Sequence, residues 1–104
     1  MAIRDEQGYT KEEYTQAAVV AGTTYTVAHG INTSKVARIH SFAYNTVNGY
    51  YVENGNPNSG QITGYSATSD FNAMLTNTDW FIDVPVGSTN LAGATIKIII
   101  YLRP

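Results

Sequence analysis

The histidines are the first residues whose chemistry could define a site. His29 and His40 are the only two in the chain, and both fall in or beside predicted strands. A protein zinc site needs three or four His, Cys, Asp or Glu ligands at recognisable spacings. No carboxylate stands at such a spacing from either histidine, and the chain has no cysteine. The sequence therefore predicts no metal site and assigns both histidines to a turn or a sheet surface.

Three carboxylates lie within two residues of an aromatic residue, at Asp70, Asp79 and Asp83. Two carboxylates that flank a bound sugar can hydrolyse its glycosidic bond. Asp70 and Asp79, however, occupy positions where turns favour aspartate, and Asp83 alternates outward on its strand. Motifs for a serine nucleophile, a phosphate-binding loop or a dinucleotide are absent from the sequence. The sequence therefore predicts no enzyme, no catalytic residue and no cofactor.

A group of tyrosines and asparagines forms a candidate ligand loop. These residue types stack on sugars, hydrogen-bond to them and recur in adaptable recognition surfaces, because they supply contact area at low entropic cost. The candidate residues are Tyr50, Tyr51, Asn54, Asn56 and Asn58. Ordinary turn chemistry explains the asparagines more simply, and binding remains the open alternative here. Trp80, by contrast, shares a strand face with Ile82 and is predicted to lie in the core.

The composition excludes several classes of partner. The net charge is −2 and only 13% of the residues are charged, which offers no general attraction for nucleic acid or an anionic membrane. No apolar run approaches the ~18 residues of a membrane span. A chain of 104 residues forms one domain with a thin stability margin, for which oligomerisation is a common remedy. We therefore expect no nucleic acid and no membrane as partner.

The chain is poor in charged residues and rich in uncharged polar ones. The chain contains eight Tyr and nine Gly together with many Thr, Ser and Asn. Thr and Tyr suit the pleated, half-buried surface of a sheet, whereas Asn and Gly suit the turns between strands. Surfaces of this kind are common in stable assemblies, where burying Lys or Glu would carry a large desolvation cost. The composition is that of an all-β protein suited to assembly.

The run from Ala94 to Leu102 is the longest β-favouring stretch. Its even-numbered residues form an apolar stripe at a period of two, which predicts a core-facing strand in the centre of a sheet. Its other face carries Ile99 and Tyr101, and the predicted strand from Ser34 to Tyr44 likewise has apolar residues on both faces. Apolar residues on both faces of a strand indicate that the second face is also covered, here by another subunit. The predicted oligomer interface consists of Ile99, Tyr101, Phe42 and Tyr44.

The spacing of turn signals sets the fold class. About seven predicted strands recur at intervals of roughly ten residues, which is the rhythm of a β-sandwich. The pair Asn48-Gly49 between two β-like runs is a strong hairpin signal. The stretch Phe71 to Leu75 fits either a strand or one helical turn, and Gln61 to Thr68 is predicted as a strand. We predict one antiparallel, jelly-roll-like β-sandwich at residues 17–104.

Residues 1–16 differ from the rest and are predicted to form an N-terminal arm. They hold six of the fourteen Asp, Glu, Lys and Arg residues of the chain. Thr10 and Glu13 match the spacing of a capping box, so a short helical turn from Lys11 toward Ala18 is expected. A frayed terminus is one interpretation. The other is an arm that docks on a neighbouring subunit through Ile3, Tyr9 and Tyr14.

Two stretches carry a resemblance to a known class of protein. The run from Thr24 to Ile31, followed by Val36, resembles the opening strand and His-Gly turn of small β-sandwich modules in bacteriophage head and tail appendages, some of them related to H-type lectins. The stretch from Ala94 to Leu102 is similar to their closing strand. No binding residue of the lectin branch has a counterpart here.

This resemblance implies a virion protein without enzymatic activity, most simply a capsid decoration or accessory protein. It also implies a homo-oligomer, in particular a homotrimer, that docks on a larger capsid or tail assembly. The lectin-like alternative is a carbohydrate-binding adhesin module of a phage tail fibre or baseplate, for which a glycan would be the ligand.

Overall fold

The structure is a computed structural model that describes residues 3–4, 8–45, 49–53 and 70–104. Within these ranges, two short 3₁₀ turns, Thr33–Lys35 and Thr89–Leu91, accompany the strands. The described strands are β1 Ile3–Arg4, β2 Thr10–Gln16, β3 Thr23–Ala28, β4 Val36–Asn45, β5 Tyr50–Glu53, β6 Asn72–Leu75, β7 Asp79–Val84 and β8 Thr95–Leu102. The all-β prediction is confirmed.

Two antiparallel sheets face each other. Counting the described strands, the larger sheet has five in the order β1-β2-β8-β4-β5, and the smaller has three in the order β3-β7-β6. The predicted β-sandwich is therefore confirmed. The stretch that gave either a strand or a helical turn is strand β6. Strand β8 lies between β2 and β4, so its predicted central position is also confirmed.

The core lies between the two sheets. Ile96, Ile98 and Ile100 of β8 are fully buried, and Ile82 of β7 is fully buried opposite them in the smaller sheet. Because successive side chains on a strand point to opposite sides, one strand can bury every second residue and expose the others. Trp80 is 7% exposed, which confirms its predicted place in the core.

Strand β2 corrects the prediction for the N-terminal region. Thr10–Gln16 pairs with β8 along its whole length, from Thr10 opposite Leu102 to Gln16 opposite Ile96. The helical turn predicted from Lys11 is therefore wrong. A capping-box spacing is a local signal, and a seven-residue ladder against a central strand outweighs it. The second half of the predicted arm is a strand of the larger sheet.

A β-bulge shapes the start of β4. The register shifts between Val36 and Arg38, so that Val36 stands opposite Leu102 and Arg38 opposite Tyr101. A bulge adds one residue to one strand and re-aims the side chains beyond it. As a result Val36 packs against the core with Leu102, although simple alternation had put it on the same face as Arg38.

The predicted hairpin is present between β4 and β5. These strands pair antiparallel, and the Gly49 amide donates to the Asn45 carbonyl at 2.8 Å. Gly49 has a φ of 76°, a left-handed conformation that favours glycine. The strand predicted at Gln61 to Thr68 lies outside the described residues.

Candidate interaction surface

The outward side of the larger sheet is the main candidate site, and we call it the front face. The register of four strands, β2, β8, β4 and β5, brings its side chains together, each alternating with a residue that points into the sandwich. The front face consists of Lys11, Glu13, Thr15, Arg38, His40, Phe42, Tyr44, Tyr51, Glu53, Thr95, Lys97, Ile99 and Tyr101.

All four residues of the predicted oligomer interface lie on the front face. Ile99 stands beside His40, Tyr101 beside Arg38, and Phe42 beside Lys97 across the β4–β8 ladder. The interface side chains are each half-buried within the single chain. The alternation seen in the sequence therefore placed them on the correct side of their strands. Their contact with another copy stays a prediction.

An aromatic row crosses the front face at the β4–β5 edge. The ring of Phe42 lies 5.3 Å from His40, 6.0 Å from Tyr44 and 5.4 Å from Tyr51, centroid to centroid. Tyr51 remains 37% exposed. Burial raises the pKa of the Tyr51 phenol, and the nearby Glu53 carboxylate raises it further. The row is thus a flat, partly exposed surface with an un-ionised phenol at its edge at neutral pH.

Several ionisable side chains of the front face contact a neighbouring side chain on that face. Lys97 Nζ lies 3.6 Å from Glu13 Oε1, and His40 Nε2 lies 3.2 Å from Glu53 Oε2. The Arg38 guanidinium stands 4.0 Å above the ring of Tyr101. Exposed ion pairs contribute little to stability, but they neutralise charge locally. Covering this face therefore costs less desolvation than covering isolated charges would.

The outward side of the smaller sheet, which we call the back face, has a different character. Asp83 accepts a hydrogen bond from Thr24 Oγ1 at 2.7 Å, and Asp79 accepts one from Thr78 Oγ1 at 2.8 Å. The back face consists of Thr24, Thr26, Ala28, Asn72, Met74, Asp79, Phe81 and Asp83. These eight residues include two carboxylates and no lysine or arginine.

The residues predicted for the docking arm lie in three different settings. Tyr14 points into the sandwich, where its ring stacks on Trp80 at 5.9 Å and its hydroxyl donates to Gln16 Oε1. Burial raises the pKa of the Tyr14 phenol, with Tyr25 as a second cause. Tyr9 is half-buried just before β2, and Ile3 belongs to β1. Tyr14 therefore packs within the single chain, and the docking role predicted for these three residues stays a prediction.

The predicted ligand loop is described only at its beginning. Tyr50 stands opposite Asn45 in the β4–β5 ladder, and Tyr51 stands opposite Tyr44. Asn54, Asn56 and Asn58 lie outside the described residues. The structure brings Tyr51 together with Phe42 and Tyr44, which the sequence had assigned to a separate, oligomeric role. Ligand and interface candidates thus share one surface.

The histidines have separate surroundings. His29 Nδ1 accepts from the Ile31 amide at 2.8 Å, which leaves the ring proton on Nε2 to donate to the Thr76 carbonyl at 2.7 Å. His40 faces Glu53 on the front face. Within the described ranges, no three His, Asp or Glu side chains gather where they could hold a metal ion. Of the three candidate carboxylates, Asp70 is exposed and Asp79 and Asp83 belong to the back face.

A cleft opens between β4 and β6, where the two sheets separate. It has a volume of 260 Å³ and is lined by Thr33, Val36, Ile39, Met74, Leu75 and Asn77. Ile39 points to the inner side of its strand but remains 44% exposed at this open end. The cleft has no signature in the sequence, because its lining joins segments far apart in the chain.

Comparison of the chain with protein-family models, with curated proteins and with solved structures finds no match in any of the three. No helix within the described ranges has the length and apolar character needed to cross a membrane.

Proposed function

We propose that this chain is a non-enzymatic structural protein of a virion, a capsid decoration or accessory protein that associates with copies of itself and docks on a larger assembly. The support is threefold. The chain folds as a small β-sandwich, its composition suits assembly, and the resemblance noted from the sequence points to phage appendage modules. The front face is the surface proposed for self-association.

The observation that carries the proposal is the apolar centre of the front face. Ile99 and Tyr101 lie on a central strand whose other side already forms the core, so the single chain gains little from them. Aromatic residues and arginine are the types enriched at interfaces. Here they stand together, with ion pairs around them. Such a face is stabilised when a partner covers it.

The size of the front face is compatible with a specific contact. Four strands at about 4.8 Å spacing, with a mean length of about 7 residues of about 3.4 Å, give a projected area of roughly 450 Å². Two such faces in contact cover about 900 Å², before the additional surface of the protruding side chains is counted. This area is close to the ~1,000 Å² of a specific interface.

Sedimentation equilibrium tests the self-association directly. We expect the wild-type chain to be oligomeric and Ile99→Asp to be monomeric, with thermal unfolding remaining cooperative. Met74→Asp is the matched control, because Met74 is a partly exposed apolar residue of the back face. A monomeric wild-type chain at high concentration would contradict the proposal. Immunogold labelling of purified particles tests the virion location, and unlabelled particles would overturn it.

The second candidate is a carbohydrate-binding adhesin module, which the edge of the front face favours. Tyr51 is 37% exposed, and Phe42 extends its aromatic surface at 5.4 Å. Beside them, the Glu53 carboxylate could accept hydrogen bonds from sugar hydroxyls, and the His40 ring could donate hydrogen bonds to them. Under this alternative, glycan-array binding is lost in Tyr51→Ala and kept in Ile99→Asp. A wild-type chain that binds no glycan excludes it.

A further inference from the structure

We infer that the front face pairs with the same face of a second copy about a two-fold axis, so that the assembly unit is a dimer. This inference rests on the self-association proposed above and names the partner surface. It differs from the trimer that the sequence resemblance implies.

The first reason is the number of suitable surfaces. A ring of three subunits with cyclic symmetry needs a heterologous contact, in which two different patches of each subunit meet. A single sheet face that contacts an identical face does so around a two-fold axis. Among the described surfaces, the front face combines a broad aromatic and aliphatic area with paired charges. One such surface makes an isologous dimer.

The second reason is charge. The front face carries both signs, with Lys11, Arg38 and Lys97 against Glu13 and Glu53. Such a face can place cations of one copy near carboxylates of the other. The back face carries only carboxylates among its described charged residues, so two back faces would repel each other. Self-pairing is therefore open to the front face and disfavoured for the back face.

The third reason is area, which decides against packing the front of one copy on the back of the next. The back face has three strands of 6, 6 and 4 residues, and at about 4.8 Å between strands and 3.4 Å per residue its projected area is roughly 260 Å². A front-to-back contact would then cover about 520 Å², well below the ~1,000 Å² of a specific interface. The opposite charges of the two faces attract, but the contact is too small.

The position of the axis follows from the register. The centre of the front face lies between β8 and β4, where Ile99 stands beside His40 and Lys97 beside Phe42. Residues near a two-fold axis contact their own counterparts in the partner. Ile99 of one copy therefore lies close to Ile99 of the other.

Cysteine cross-linking tests this arrangement cleanly, since the chain has no cysteine. We expect the single variant Ile99→Cys, treated with a short bis-maleimide, to give a covalent dimer in high yield. Phe81→Cys, at the centre of the back face, is the control and should remain monomeric on a denaturing gel. Phe42→Cys is a second front-face probe in case the first substitution weakens association.

Sedimentation equilibrium of the unmodified chain completes the test. The expected assembly mass is twice the 11.3 kDa of the chain. A trimer mass, or a ladder of products beyond the dimer from the double variant Ile99→Cys/Phe81→Cys, would overturn the two-fold arrangement while leaving self-association intact. A cross-link from Phe81→Cys alone would do the same. A monomeric wild-type chain would overturn the proposed function itself.

Discussion

The ring of Tyr14 lies nearly parallel to that of Trp80, with centroids 5.9 Å apart and an interplanar angle of 18°. Tyr14 belongs to the larger sheet and Trp80 to the smaller, so the stacked pair joins the two layers. On Trp80 the His29 ring makes an edge contact at 6.0 Å. A residue that the sequence assigned to a docking arm therefore closes one side of the core.

Truncation of this pair should destabilise the domain. We expect Tyr14→Ala to lower the free energy of unfolding by about 2–3 kcal/mol, because a stacked, partly buried aromatic side chain is lost. The neighbour Glu13 points to the front face and pairs with Lys97. Glu13→Ala should therefore cost less than about 1 kcal/mol. Urea unfolding, under conditions where the chain is monomeric, measures both changes in the free energy of unfolding. Equal effects of the two substitutions would show that Tyr14 does not bridge the sheets.

Stepwise deletion from the N-terminus should show that folding requires β2 but not β1. Removal of residues 1–16 deletes β2 and exposes the edge of β8, whose buried isoleucines form the core, so we expect loss of cooperative thermal unfolding. Among the described strands, removal of residues 1–7 affects β1 alone, which has two residues, and it should leave the transition cooperative. Circular dichroism melts provide the measurement. A folded 1–16 deletion would mean that β2 is dispensable for the sandwich.

Stability should fall in alkaline solution through Tyr14. Burial raises the pKa of its phenol in the folded state. Below pH ~10 the phenol is protonated in both states and the effect is absent. Above that pH the unfolded chain loses the proton first, so stability decreases as the pH rises toward the folded pKa. Urea midpoints between about pH 9 and 11 should fall less steeply in Tyr14→Phe than in wild type; identical slopes would exclude Tyr14 as a cause.

The two histidines should differ in their contribution to stability. His29 satisfies the Ile31 amide and the Thr76 carbonyl, and His29→Ala leaves both backbone groups without this partner. We expect a loss of about 2 kcal/mol in the free energy of unfolding. His40→Ala removes an exposed pair with Glu53 and a ring contact with Phe42 but leaves no backbone group without its partner, and it should cost less than about 1 kcal/mol. If urea titrations show a larger loss of stability for His40→Ala than for His29→Ala, the turn at His29 does not depend on the His29 ring.

The sequence by itself determined which side of a strand a residue occupies wherever the alternation is regular, which fails at Val36, where a bulge shifts the register. In β8, Ile98 is buried and Ile99 points to the front face, as the period of two requires. The same rule located the oligomer candidates Phe42 and Tyr44, and Asn48-Gly49 located the hairpin. These features depend on backbone geometry within a few residues, so they can be read without knowledge of the fold.

Only the tertiary structure decided which strands are neighbours. The pairing of β2 with β8 joins residues far apart in the chain, and no local period encodes it. The same holds for the stacking of Tyr14 on Trp80 and for the meeting of Tyr51 with Phe42. Local signals, such as Thr10 with Glu13, are worth a fraction of the energy of a full strand ladder with a buried side. Long-range pairing therefore overruled them, and it assembled the front face.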